Sequence, residues 1–127
     1  PAIGGLPITL ERTLGYLMAP IVWFIGVDWS EAFTAGSLMG TKTVMNEFLA
    51  YLQLSKLEPG TLGERSTMIM IYTMFGFANF GSWGISIGCL GYMAPERRPE
   101  IVSLGMKSII AGTIATCMTG AIVGMIF

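Results

Sequence analysis

Thirty consecutive residues, Ser66 to Pro95, carry no charge, and a second run, Ser108 to Phe127, adds twenty more. Runs of that length leave a chain of 127 residues too little polar surface to cover a fold in water. Only 12% of the residues are charged and 53% are hydrophobic, with a mean hydropathy of +0.67. A typical soluble domain has about 25% charged residues. Lipid must therefore be the solvent for much of this chain, and the expected class is an all-α, polytopic membrane protein.

Composition also excludes functions. A net charge of −1 provides no basic face for nucleic acid. Histidine, the commonest general base and metal ligand, is absent. Cys89 and Cys117 lie far apart in apolar runs, which argues against a disulfide frame and a zinc site. With a single Asp and no His, neither a Ser/His/Asp nor a Cys/His set can be assembled. No catalytic residue, metal ligand or bound cofactor is expected, and the chain reads as moving a solute rather than transforming one.

Four charge-poor stretches organise the sequence. The first, 13–27, is flanked by Glu11-Arg12 and Asp28, and reaches only ~22 Å at 1.5 Å per residue. It spans a ~30 Å hydrocarbon core only with snorkelling flanks. Trp23 and Trp29 fit interface anchors, and Pro20 predicts a kink. The second stretch, 32–55, is interrupted by Lys42 and Glu47. A straight lipid-facing helix would bury both charges at a cost of several kcal/mol, and at i,i+5 they do not share a face. A re-entrant hairpin of two half-helices, with Thr41 to Glu47 at its tip, fits better, because irregular backbone at membrane depth needs protein or a watery cavity around it. The third stretch, 66–95, would form a helix of ~45 Å, too long for the core, and its glycines with Asn79 and Ser82 predict a break. The fourth, 108–127, is the cleanest spanning helix. Its four-residue spacing of small residues (Ala111, Ala115, Thr119; Gly120, Gly124) permits close helix packing.

Basic residues weigh the topology. With a re-entrant second stretch, Arg12, Arg97, Arg98 and Lys107 face Lys56 and Arg65 across the membrane; with a spanning one, the two sides balance. The hairpin reading puts Arg97-Arg98 in the cytoplasm and the C-terminus outside. The chain begins at Pro1 without a signal-peptide pattern and stops within an apolar run, so both ends read as cut.

Each polar motif has a plain reading beside the functional one. Gly36 to Thr43 superficially resembles a phosphate loop, but three residues separate its glycines where four are needed and Thr41 precedes the lysine. Gly36 and Gly40 are better read as helix packing. Glu47 is either a solvated tip charge, or a partner of Lys42 without further role, or an acceptor for a polar solute. An ionised carboxylate can take two hydroxyl hydrogens at once, which suits the vicinal diol of a sugar. Asn79 and Ser82, three apart, would share a face of an intact helix and could equally hydrogen-bond between helices. Phe75, Phe77 and Phe80 are more often lipid or core contacts than a platform. Residues 95–100 read as a solvated cytoplasmic turn, and Cys117 as a small packing residue.

Three strings then speak together: Gly40 to Tyr51 (GTKTVMNEFLAY), Gly76 to Ile85 (GFANFGSWGI), and Met93 to Arg98 (MAPERR) leading to Ala111 to Thr119 (AGTIATCMT). In this order and spacing they resemble the C-terminal part of the concentrative nucleoside transporters, over nearly the whole chain. The resemblance implies a secondary active transporter that takes up nucleosides with a sodium or proton gradient. It implies one half of an inverted-repeat fold, assembled as a homotrimer in the bacterial inner membrane with its C-terminus outside. Carried over by motif, Glu47 would bind ribose hydroxyls, Asn79 and Ser82 would complete the sugar site, and Phe77 would neighbour the pocket. The family's first hairpin, which holds the base and the sodium ion in sodium-coupled members, has no counterpart here. The N-terminal repeat would thus be a required partner, since midplane sites form between the two repeats. The rival readings are a Gly-rich structural or assembly module whose polar residues only pack helices, and a small channel.

Overall fold

The computed structural model describes residues 2–3, 6–7 and 9–127, and the chain is predominantly helical. Among the described residues, a pair of two-residue antiparallel strands departs from the helices: β1 (Ala2–Ile3) and β2 (Leu6–Pro7), matching Ala2 to Pro7 and Ile3 to Leu6. The described residues then form α1 (Leu10–Phe24), α2 (Ala32–Val44), α3 (Glu47–Ser55), α4 (Glu64–Met74), α5 (Phe80–Met93) and α6 (Arg98–Ile126).

Local chemistry sets the boundaries. Thr9 starts α1 in extended backbone and accepts from Arg12 N at 3.3 Å, so the helix begins three residues before the apolar run at Thr13. It stops at Gly26, whose φ of +109° is natural only for glycine. α6 begins at Arg98, ten residues before the apolar run at Ser108. The segment expected to be a turn is short: a 3-10 turn at Pro95–Arg97 feeds directly into the helix, and Pro99 falls in the first turn, where its missing N–H costs nothing. Among the described residues, Pro95–Ile126 is the one helical run long and apolar enough to cross a membrane.

Packing depends on missing side chains. α1 and α2 approach through Gly15, Gly36 and Gly40: a Cβ on Gly36 would lie 2.6 Å from Gly15 O and 2.8 Å from Ala19 N, and one on Gly40 would collide with Leu14. Gly36 to Thr43 lies wholly inside α2, so no phosphate loop exists there. α6 meets α4 through Gly120 and Gly124, set against Thr73 and Ile69, and meets the start of α5 through Gly105, set against Trp83. Of the two small-residue rows expected on α6, only the second is buried; Ala111, Ala115 and Thr119 are exposed. The core lies between these pairs, built from Val22, Val27, Ala35, Met39, Ala50, Ile69, Met70 and Met74.

Side chains also bind the helix ends. Arg65, in the first turn of α4, donates from Nη1 to Gly26 O (2.6 Å) beyond α1 and from Nε to Gly124 O (2.9 Å) in the last turn of α6. Glu31 Oε1 accepts from Gly63 N at 2.9 Å, tying the start of α2 to the start of α4. Trp23 and Trp29 are both exposed and stack edge to face with centroids 5.7 Å apart.

Candidate functional site

Two interruptions in the helical chain, between α2 and α3 and between α4 and α5, position Asn46, Glu47 and Asn79. α2 ends with Met45 N donating to Thr41 O at 2.8 Å, and the chain restarts at Asn46, extended at φ −166°, ψ 169°. Asn46 Oδ1 accepts from Leu49 N at 2.9 Å, an N-cap that places Glu47 at the first position of α3. The second interruption repeats the device. α4 ends at Met74, and Asn79, extended at φ −146°, ψ 165°, accepts from Ser82 N at 2.7 Å to start α5.

Asn79 and Ser82 are therefore not neighbours on one face of an intact helix. Asn79 stands before α5 as its cap, and Ser82 is joined to it through the backbone N–H. The cap uses the amide oxygen and leaves the nitrogen free. That nitrogen, Nδ2, donates to Glu47 Oε2 at 3.1 Å across the two interruptions. Gly81 allows the approach, since a Cβ there would sit 3.2 Å from Asn79 Oδ1 and 3.6 Å from Met45 O.

Glu47, Asn79 and Ser82 are thus together, and burial differs among them. Asn79 is 2% exposed, whereas Glu47 and Ser82 are half-buried. Glu47 takes no other hydrogen bond among the described residues, so its carboxylate keeps acceptor capacity toward the open side. Phe77, in the segment between α4 and α5, is 68% exposed and makes no ring contact among the described residues. Lys42, the alternative partner of Glu47 on its own stretch, forms no ion pair with it among the described residues. The ion pair between described residues is Arg97–Glu100, an exposed pair at the start of α6, and Lys42 is fully buried with Nζ unpartnered.

Tyr51 joins the site without having been expected there. It lies one turn beyond Glu47 on α3, and its hydroxyl donates to Ile71 O at 2.6 Å. Ile71 belongs to the last turn of α4, whose carbonyls lack intrahelical partners. One face of α3 therefore holds both sides of the second interruption, Glu47 at the start of α5 and Tyr51 at the end of α4. The i,i+4 spacing from Glu47 was the signal that could have found it.

Among the described residues no group of three or more His, Cys, Asp or Glu could hold a metal ion. A groove of about 780 Å³ between α1, α5 and α6 is apolar and does not include Glu47 or Asn79 in its walls. The site at the interruptions is instead a fixed acceptor beside a fixed donor, suited to a neutral polyhydroxylated ligand.

Comparison with known proteins finds relatives over nearly the whole chain. Residues 2–124 match the family described as the C-terminus of Na+ dependent nucleoside transporters. The chain is 45% identical over 118 residues to the uncharacterized transporter YutK of Bacillus subtilis, covering 93% of this chain and 29% of that protein. It is 40% identical over 133 residues to solute carrier family 28 member 3 of Mus musculus, covering 94% of this chain and 19% of that protein. It superposes with a TM-score of 0.85 on the structure of CNTnw in an inward-facing substrate-bound state, at 43% identity over 92% of this chain and 29% of that one. The chain spans less than a third of the length of each of these relatives.

Proposed function

Because this chain belongs to the Na+ dependent nucleoside transporter family, over its C-terminal region, we propose that it supplies the ribose-binding half of the site in a secondary active transporter that imports nucleosides by sodium or proton symport. The family is one of integral membrane transporters and not of enzymes. The observation that carries the reading is the bond from Asn79 Nδ2 to Glu47 Oε2, made where two helices are interrupted beside each other.

Each group has a role that follows from its chemistry. Glu47 accepts the hydrogens of the two vicinal ribose hydroxyls, a charge-assisted geometry stronger than a neutral pair. Asn79 keeps one N–H on Glu47 and offers the other to a hydroxyl oxygen. Ser82 adds a hydroxyl that can donate or accept, and Phe77 neighbours the pocket. In this reading α2 and α3 are the arms of a re-entrant hairpin, α4 and α5 form a discontinuous helix, and the nucleoside base and coupling ion bind to an N-terminal repeat related by inverted symmetry. The assembly is a homotrimer in the bacterial inner membrane, with Arg97-Arg98 cytoplasmic and the C-terminus outside.

Uridine uptake by cells expressing the complete transporter tests this reading. Glu47→Gln keeps size and removes charge; uptake should fall at least tenfold with the protein still present in the membrane. Uptake at the unmutated level would refute the ribose role.

A further inference from the structure

Glu47 is only as well placed as the helix that carries it, and packing anchors α3 thinly. It has nine residues, fewer than a helix needs to stand alone. It leaves α2 through a non-helical joint, with Met45 at φ −96°, ψ −91° and Asn46 in extended backbone. Within α3 the fully buried residue is Ala50, while Tyr51 and Leu54 pack against the core at partial burial. Apolar contact is non-directional, so it resists rotation of the helix about its own axis weakly.

Rotation matters at the acid. At a side-chain radius of about 6 Å, turning α3 by about 10° carries a group through about 1 Å. The bond from Asn79 Nδ2 to Glu47 Oε2 is 3.1 Å long, and a shift of that size takes it beyond hydrogen-bond range. A directional bond resists the rotation: Tyr51 Oη donates to Ile71 O at 2.6 Å, one turn beyond Glu47 on the same face. Its acceptor is a peptide oxygen in the last turn of α4, fixed by the backbone and by no rotamer. The two bonds grip the second interruption from both sides, α5 through Asn79 and α4 through Ile71. A sugar engages the first pair; the bond to the main chain is left for holding α3.

We propose that Tyr51 is a positioning residue for ribose recognition: its hydroxyl, clamped on the Ile71 carbonyl, sets the rotation of α3 that brings Glu47 to Asn79 and to the sugar hydroxyls. The role rests on the ribose reading above. Tyr51 touches no ligand and acts through the acid.

The experiment is equilibrium binding to the complete transporter in detergent, with uridine compared against 2′,3′-dideoxyuridine, which lacks both hydroxyls assigned to Glu47. Tyr51→Phe deletes the hydroxyl and keeps the ring. The preference for uridine should fall about fivefold, while binding of the dideoxy analogue hardly changes. Gly15→Ala, which crowds the contact between α1 and α2 away from the site, should keep the preference. In a Glu47→Gln background Tyr51→Phe should remove no further preference, because the acid it acts through is gone. Where Tyr51→Phe fails to reach the membrane, Tyr51→Met is measured in its place. An unchanged preference overturns the proposal. So does an equal loss for both ligands, or an equal loss of preference in Gly15→Ala, since either marks a bond that only supports the fold. A further loss on top of Glu47→Gln also overturns it, because Tyr51 would then act apart from the acid. Glu47→Gln alone separates the two readings: if preference survives there, the ribose role itself falls, whereas preference lost in Glu47→Gln but kept in Tyr51→Phe removes Tyr51 alone.

Discussion

Asn79 performs two tasks with the two ends of one amide: its oxygen starts α5 and its nitrogen holds Glu47. The tasks separate by mutation. Serine caps helices about as well as asparagine but is too short to reach the acid. Asn79→Ser should therefore shift unfolding of the complete transporter by less than about 1 kcal/mol and still weaken uridine binding several-fold. Thermal unfolding and uridine titration on the same preparation check both halves, and a packing-only residue would leave the titration untouched. Glu47 was legible in the sequence as an acid stranded in an apolar stretch. Its bond to Asn79 was not, because the two are 32 positions apart and a single sequence contains nothing that aligns one interruption with the other. The shared face of Asn79 and Ser82 was conditional on an intact helix, and the condition is not met: three-residue spacing has that meaning only inside a continuous helix, and the continuity ends at Met74, within the stretch where a break was expected.

Among the elements, α6 illustrates how far a pattern can be followed. Its length and apolarity were plain, but its orientation was not, since a helix apolar on every side offers no polar stripe to mark the outward face. Two small-residue rows were available, and the partner chose between them: Thr73 and Ile69 on α4 fill the space over Gly120 and Gly124. Gly120→Ala should cost about 1–3 kcal/mol through overpacking, because the added methyl enters the volume of Thr73. Thr73→Ala in the same chain should return part of that loss, and denaturation of the two single variants and the double variant measures the coupling. The start of α6 was misplaced because prolines and paired arginines at 95–99 read as a turn. Proline in a first helical turn is well tolerated, so the same residues also open a helix.

At the scale of the molecule, the described site is one-sided, with a carboxylate and an amide facing outward from one group of helices. The isolated segment should show no saturable uridine binding at micromolar ligand, whereas the complete transporter should accumulate uridine above the external level. Dissipating the cation gradient with an ionophore should abolish accumulation; entry that continues unaltered and never saturates would indicate a passive pore. The interior of this segment is held by interhelical glycines, but its rim is held by Arg65, which satisfies stray carbonyls at the ends of α1 and α6 from the start of α4. Both acceptors are main-chain atoms on glycines, and both glycines leave room for the guanidinium: a Cβ at Gly26 would lie 3.2 Å from Arg65 Nη2, and one at Gly124 would lie 3.3 Å from it. No substitution can delete a peptide oxygen, so this three-way knot can be undone only by replacing its one donor or by crowding it out with a methyl group, and sequence drift elsewhere along the rim leaves it tied.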